Sequence, residues 1–163
     1  MPNRAVIMVA GGTGTRMQLT LPKQFIPLEG KPVILHSFDA FKKFDPDMQF
    51  ILVLYKGLEG AWQEILDTHN YQLNHTLIEG GKERFHSVKN GLDALSKNID
   101  VVAIHDAVRP LVSQNTIARC FESASTEGSA IPTIPVVDTI RRTTLEGNFS
   151  IPRHELEAVQ TPQ

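Results

Sequence analysis

Long apolar runs are missing from this chain of 163 residues. No stretch approaches the roughly 18 consecutive apolar residues of a membrane-spanning helix, so no membrane span is expected. Cysteine is nearly absent. Cys120 stands alone, so no internal disulfide can form and the fold does not depend on an oxidising compartment. A large charge of either sign is also lacking. Sixteen basic residues face 18 acidic ones for a net charge of −2, which excludes bulk binding of nucleic acid or an anionic membrane but leaves room for a local basic pocket. The six histidines show no His-x-x-x-His spacing and have no cysteine partners, which argues against a zinc site. No Gly-x-Ser-x-Gly elbow occurs, and there is no internal repeat, low-complexity tract or linker. The first apolar run, Ala5–Ala10, leads directly into glycines. It reads as a strand and not as a signal peptide, so a cytoplasmic location is expected.

What is present is an alternation of strand and helix patterns, sized for one domain. The short all-apolar run Ala5–Val9 predicts a strand buried on both faces, Gln49–Tyr55 predicts a second buried strand, and His75–Gly81 and Asp100–Ala107 predict a third and a fourth. Between them, helical spacing predicts helices over Lys31–Phe44, Leu58–His69 and Arg84–Lys97, with a fourth at Asn115–Ser125. In the third helix the stripe is Phe85, Val88, Leu92 and Leu95; in the fourth it is Ile117, Cys120, Phe121 and Ala124. This order implies crossover connections and an α/β fold, a Rossmann-like three-layer sandwich with a mostly parallel sheet. The rhythm then changes. Pro132 and Pro135 suit a central strand poorly, and Asp138–Ile151, with a turn at Glu146–Asn148, reads as a protruding β-arm. The sequence stops at Gln163, where another element is expected to start.

Ligands of open parallel sheets bind beyond the carboxyl ends of the strands. Three unusual loops fall there. The first carries Gly11, Gly12 and Gly14, then Arg16 and Lys23. It matches neither the dinucleotide fingerprint, whose last glycine would fall on Met17, nor the P-loop, whose lysine is absent. Its glycines still let backbone N–H groups approach an anion, and the two cations suit a triphosphate losing pyrophosphate. A plain turn with two surface cations is the alternative. The second loop, Gly80–Ser87, can lay a flat base against glycine backbone with Ser87 adding a hydrogen bond; a simple strand–turn–helix joint is the alternative. The third, His105–Pro110, places Asp106 where a carboxylate helps hold Mg²⁺ beside phosphate oxygens. Arg109 then pairs with phosphate or braces Asp106. A structural Asp–Arg pair is the alternative there, and His105 reads as packing or bracing the loop. Cys120 and Trp62 read as core.

Taken in order, AGGTGTRM, LPKQF, GGKERFHSV, HDAVRP, PVVDT and QTPQ resemble the 2-C-methyl-D-erythritol 4-phosphate cytidylyltransferases, of the sugar-nucleotidyltransferase type. The resemblance covers the whole chain. It implies transfer of CMP from CTP to a sugar-alcohol phosphate, with Mg²⁺, in non-mevalonate isoprenoid biosynthesis. By the same resemblance Ala10, Gly11, Gly12 and Gly14 contact nucleotide. Gly81, Lys82, Arg84 and Ser87 surround the base side, and Asp106 and Ala107 lie by the ribose and the metal-bound phosphate. Arg16 and Lys23 embrace the triphosphate and carry catalysis. An arm at about residues 138–154 joins a homodimer, and its Thr139 and Arg153 hold the acceptor of the second subunit, with Arg109 and Thr161 nearby.

Two departures bear on this. The family continues beyond TPQ, where it supplies a further carboxylate and a further basic residue, so an incomplete site is expected of the chain as it stands. Lys82 occupies a position that is acidic in some relatives. Two rival readings follow: a ribitol-5-phosphate cytidylyltransferase, or a nucleotide-binding fragment without catalysis. HDA and the Glu-Arg-x-x-Ser-Val pattern favour methylerythritol phosphate.

Overall fold

The structure is a computed structural model and describes residues 2–11 and 21–163. Its centre is a four-stranded parallel sheet made of β1 (Arg4–Ala10), β4 (Gln49–Leu54), β5 (Thr76–Glu79) and β6 (Val101–Asp106), in the order β5-β4-β1-β6. Two-residue periodicity sends alternate β1 side chains to opposite faces. Val6, Met8 and Ala10 enter the larger core with α1 (Val33–Phe44), α2 (Glu59–Thr68) and α4 (Gln114–Glu127). Ile7 faces the other way, into a smaller cluster with Ile51 and Val53 on the side covered by α3 (Arg84–Asp93). Both faces are therefore covered, which is why these strands are apolar throughout. The expected α/β three-layer arrangement is what forms.

Some boundaries differ from expectation. Lys31–Pro32 is not helical: it is strand β3, paired antiparallel with β2 (Pro27–Leu28). Pro32 has extended backbone (ψ 137°), and its ring keeps Lys31 out of the helical region, so α1 starts at Val33. The apolar stripe of α3 is covered only in part: Leu95, just past the helix, packs on the smaller cluster and Val88 is half-buried. Phe85 is 70% exposed and Leu92 40%, whereas Ser87 and Gly91 are buried. The helix lies so close to β1 that a Cβ on Gly91 would stand 2.7 Å from the Ile7 Cγ2. Approach at that distance needs small residues inward, and Phe85 is left outside against His86. In α4, Ile117 and Phe121 point inward as expected, while Cys120 is only half-buried. Ser113 caps this helix by accepting from the Thr116 N–H at 3.0 Å.

Beyond α4 the chain leaves the sheet. β7 (Thr133–Pro135) pairs antiparallel with β10 (Glu157–Val159). Between them β8 (Arg141–Thr144) and β9 (Gly147–Ser150) form the hairpin of the arm. The chain then returns to the free side of β6, where Ile104 and Gln163 exchange both backbone hydrogen bonds at 2.7 and 2.9 Å.

Candidate active site

The sheet order reverses between β1 and β6, and the crevice beyond their carboxyl ends is where an open α/β sheet takes its ligand. At the β1 exit, Gly11 touches the β5 exit directly. A Cβ on Gly11 would stand 2.9 Å from the Ser87 Oγ, and one on Gly80 would stand 3.3 Å from the Gly11 Cα. Backbone meets backbone here, which only glycines permit. Ser87 is buried, and its Oγ accepts the Gly81 N–H at 3.0 Å. The serine thus braces the second loop from beneath. Gly12, Gly14 and Arg16 lie outside the described residues.

Lys23 stands on a 3-10 turn, Lys23–Phe25. Its neighbours anchor it: Phe25 is buried in the larger core, and the buried Gln24 donates from Nε2 to the Ala10 carbonyl at 3.3 Å. The turn that carries Lys23 is thereby tied to the end of β1, next to Gly11. Nothing in the sequence marked Gln24. A glutamine between a lysine and a phenylalanine carries no periodic signal that it is buried.

Asp106 ends β6 in register with Val9. Its carboxylate holds two guanidiniums. Oδ1 accepts from Arg84 Nη2 at 3.2 Å, and Oδ2 accepts from Arg109 Nε at 3.1 Å. Arg84 joins the second loop to the third, a link that spans 22 residues of sequence and leaves no local trace. Arg109 braces Asp106 and also donates from Nη1 to the Gln160 Oε1 at 2.6 Å. The buried Ala107 fixes the turn: its N–H donates to the Val9 carbonyl at 3.1 Å, and its carbonyl accepts from the buried Ser37 Oγ at 2.8 Å. Ser37 is another contributor that the sequence did not reveal, being a polar residue on an otherwise apolar helical stripe.

His105 is fully buried, and both ring nitrogens are engaged, Nδ1 with the Thr161 Oγ1 at 3.1 Å and Nε2 with the Arg109 carbonyl at 3.0 Å. Burial pushes its pKa down to about 4. It braces the loop, as the sequence suggested.

The site therefore gathers Ala10, Gly11, Lys23, Gly81, Ser87, Arg84, Asp106, Ala107, Arg109 and Thr161 at one sheet edge. Lys82 lies exposed beside Gly81. Thr139 and Arg153 belong elsewhere in this chain, since they sit at the base of the arm, where Arg153 Nη1 donates to the Val137 carbonyl at 2.7 Å. A groove of about 700 Å³ opens from Arg109 and Thr161 along α4, with Thr116, Arg119 and Ile134 among its walls. That volume suits a small phosphorylated ligand.

Among the described residues, no group of three or more His, Cys, Asp or Glu side chains is arranged to hold a metal ion alone. Asp106, one-quarter exposed at a strand end, is the carboxylate that would help hold Mg²⁺ beside phosphate oxygens. No helix among the described residues is long and apolar enough to cross a membrane.

Comparison with known proteins identifies the family. Residues 4–163 match the family model for 2-C-methyl-D-erythritol 4-phosphate cytidylyltransferase. The cytidylyltransferase of that name from Bacteroides fragilis is 49% identical over 160 residues, covering 98% of this chain and 73% of the relative. Its counterpart from Phocaeicola vulgatus is 47% identical over 161 residues, with 99% and 73% covered. Among solved structures, 4-diphosphocytidyl-2C-methyl-D-erythritol synthase from Anaerococcus prevotii superposes with a TM-score of 0.81 at 25% identity, over 99% of this chain and 68% of that one. The Thermus thermophilus cytidylyltransferase gives 0.73 at 30% identity, over 99% and 69%. A family model spanning nearly all of the chain and relatives near half-identical leave one assignment: the chain belongs to the 2-C-methyl-D-erythritol 4-phosphate cytidylyltransferase family.

Proposed function

We propose that this protein transfers CMP from CTP to 2-C-methyl-D-erythritol 4-phosphate and releases pyrophosphate. The observation that carries the reading is the convergence, in a chain of this family, of the glycine backbone at Gly11 and Gly80, the anchored Lys23, and the Arg84–Asp106–Arg109 cluster at one strand edge.

In this reading the acceptor phosphate oxygen attacks the α-phosphorus of CTP in line. A new phosphorus–oxygen bond forms while the bond to the pyrophosphate oxygen breaks, and no protein nucleophile is needed. The protein positions two anions and stabilises the charge that builds on the leaving group. Arg16 and Lys23 take the triphosphate and are the catalytic side chains. Ala10, Gly11, Gly12 and Gly14 offer backbone to the nucleotide. Gly81, Lys82 and Arg84 line the base side, where Ser87 acts through the Gly81 backbone it supports. Asp106 and Ala107 lie by the ribose and α-phosphate, and Asp106 would hold Mg²⁺, which when bound neutralises phosphate charge. Arg109 and Thr161 stand toward the acceptor groove.

The arm supports a homodimer reading. Val137, Leu145 and Phe149 are 78%, 108% and 52% exposed, an apolar surface that a second copy of the chain would cover. Thr139 and Arg153 would then serve the acceptor site of that copy. A cytoplasmic location belongs to the same reading, since CTP and sugar phosphates are cytoplasmic substrates.

The test is pyrophosphate release from CTP and Mg²⁺ with a panel of sugar phosphates. Release with methylerythritol phosphate is expected. A strong preference for ribitol 5-phosphate would reassign the acceptor, and CTP binding without any release would reduce the protein to a nucleotide-binding module.

A further inference from the structure

His105 is the one ring through which three residues of the strand edge are joined. The Arg109 carbonyl can only accept a hydrogen bond, so the Nε2 that meets it at 3.0 Å must carry the ring proton. The other nitrogen is then a lone pair, and the Thr161 hydroxyl 3.1 Å away must donate to it. The same hydroxyl oxygen accepts from the Asp106 N–H at 3.4 Å. A directed chain results, from the Asp106 N–H to Thr161, from Thr161 to His105, and from His105 to the Arg109 carbonyl. The ring is fully buried and lies against Phe41, with centroids 4.9 Å apart at 59°, so its plane is fixed by packing. A fully buried ring set between a carbonyl and a hydroxyl is satisfied by one donor and one acceptor nitrogen.

We infer that His105 is a positioning residue for the acceptor half of the site, held as the Nε2–H tautomer, setting Arg109 through its carbonyl and consuming the hydroxyl proton of Thr161. The second clause changes the part played by Thr161. Its only proton is directed inward, so it cannot donate to an acceptor phosphate. It seats the returning chain against β6 and can offer the acceptor only its oxygen, while Arg109 can donate. This rests on the proposed reaction for the identity of the acceptor, but the hydrogen-bond pattern stands independently of it.

Two measurements test the inference in the protein as it exists. The first is the ¹⁵N spectrum of the His105 ring. The expected result is a protonated Nε2 and a bare Nδ1, with the Nδ1 resonance moving in Thr161→Val because its donor is gone. A proton on Nδ1 would overturn the inference. The second compares three variants by steady-state kinetics. Glutamine places its amide where Nε2 lies, so His105→Gln retains the bond to Arg109, whereas His105→Asn and His105→Phe lose it. His105→Gln should keep acceptor kcat/KM within about threefold of the parent, and the other two should lower it roughly tenfold, the worth of one lost hydrogen bond. KM for CTP should stay within about twofold in all three, because the bond that is lost lies on the acceptor side. Equal losses in all three variants, or parallel rises in both KM values, would show a general structural role and overturn the inference. If the parent shows no turnover with CTP, the proposed reaction falls while the ring spectrum still decides the tautomer and the role of Thr161.

Discussion

Arg84 and Asp106 meet at 3.2 Å across 22 residues of sequence, and through that contact the helix after one strand is tied to the loop after the next. Both side chains are partly exposed, so the pair is screened and adds little to stability. Arg84→Ala should therefore lower unfolding free energy by less than about 1 kcal/mol in urea titration. Its effect should appear in turnover, because among the described residues Asp106 would then keep only the Arg109 guanidinium. A large loss of stability with unchanged turnover would show that the pair is structural only.

Lys23 has the opposite profile. It stands on a turn that Gln24 and Phe25 already anchor, so Lys23→Ala should leave the melting temperature nearly unchanged. Removing a cation that meets charge on a leaving pyrophosphate should cost about 10²–10³ in kcat. Arg16→Ala should act alike. Near-parental kcat in both variants would remove the proposed mechanism.

Gln24→Leu separates anchoring from chemistry. It removes the donor to the Ala10 carbonyl in a buried place, which should cost about 1–3 kcal/mol in chemical denaturation. A cost near zero would mean that Gln24 does not fix the turn.

Gly11 and Ser87 offer a double-mutant test. A methyl group on Gly11 would stand 2.9 Å from the Ser87 Oγ but 3.6 Å from its Cβ. Gly11→Ala should destabilise by about 1–3 kcal/mol, as overpacking does. Ser87→Ala removes the clashing oxygen, so the double variant should be more stable than the sum of the singles. Strict additivity in thermal unfolding would show that the two sites do not touch.

The buried His105 sets a pH dependence with a definite sign. Its folded pKa, about 4, lies below the ordinary value of 6.5, chiefly because burial disfavours the cation. Above pH 6.5 neither state is protonated and the group has no effect. As pH falls below 6.5 the unfolded chain takes the proton first, and stability declines until about pH 4. The full decline is on the order of 3 kcal/mol. Urea midpoints in chelator at pH 7 and pH 4.5 check this: His105→Gln should have the shallower pH dependence, and equal slopes would contradict it.

The fold was legible where physics leaves a periodic trace. β1 and β4 are apolar at nearly every position because both faces are covered, and their burial follows the pattern closely. The three loops were legible as a group because strand order alone brings carboxyl ends together. Contacts across the sheet were not. Gln24, Ser37 and the Arg84–Asp106 pair matter through partners distant in sequence, and no spacing encodes a partner. The exposure of Phe85 and Leu92 on α3 was not legible for a different reason. Hydrophobicity marks a buried face only when there is room for side chains, and against Ile7 there was room only for Gly91.

The contact of Gly11 with Gly80 has a mechanical consequence. The loop assigned to phosphates and the loop assigned to the base begin at a shared seam, backbone on backbone, and such a seam has no slack. On the proposed reading, a base that seats badly at Gly81 would be felt at the β1 exit without any moving part between them. On the same reading, nucleobase discrimination would in this way be converted into misalignment at phosphorus, and a wrong nucleotide would be rejected by poor geometry for reaction even where it still binds.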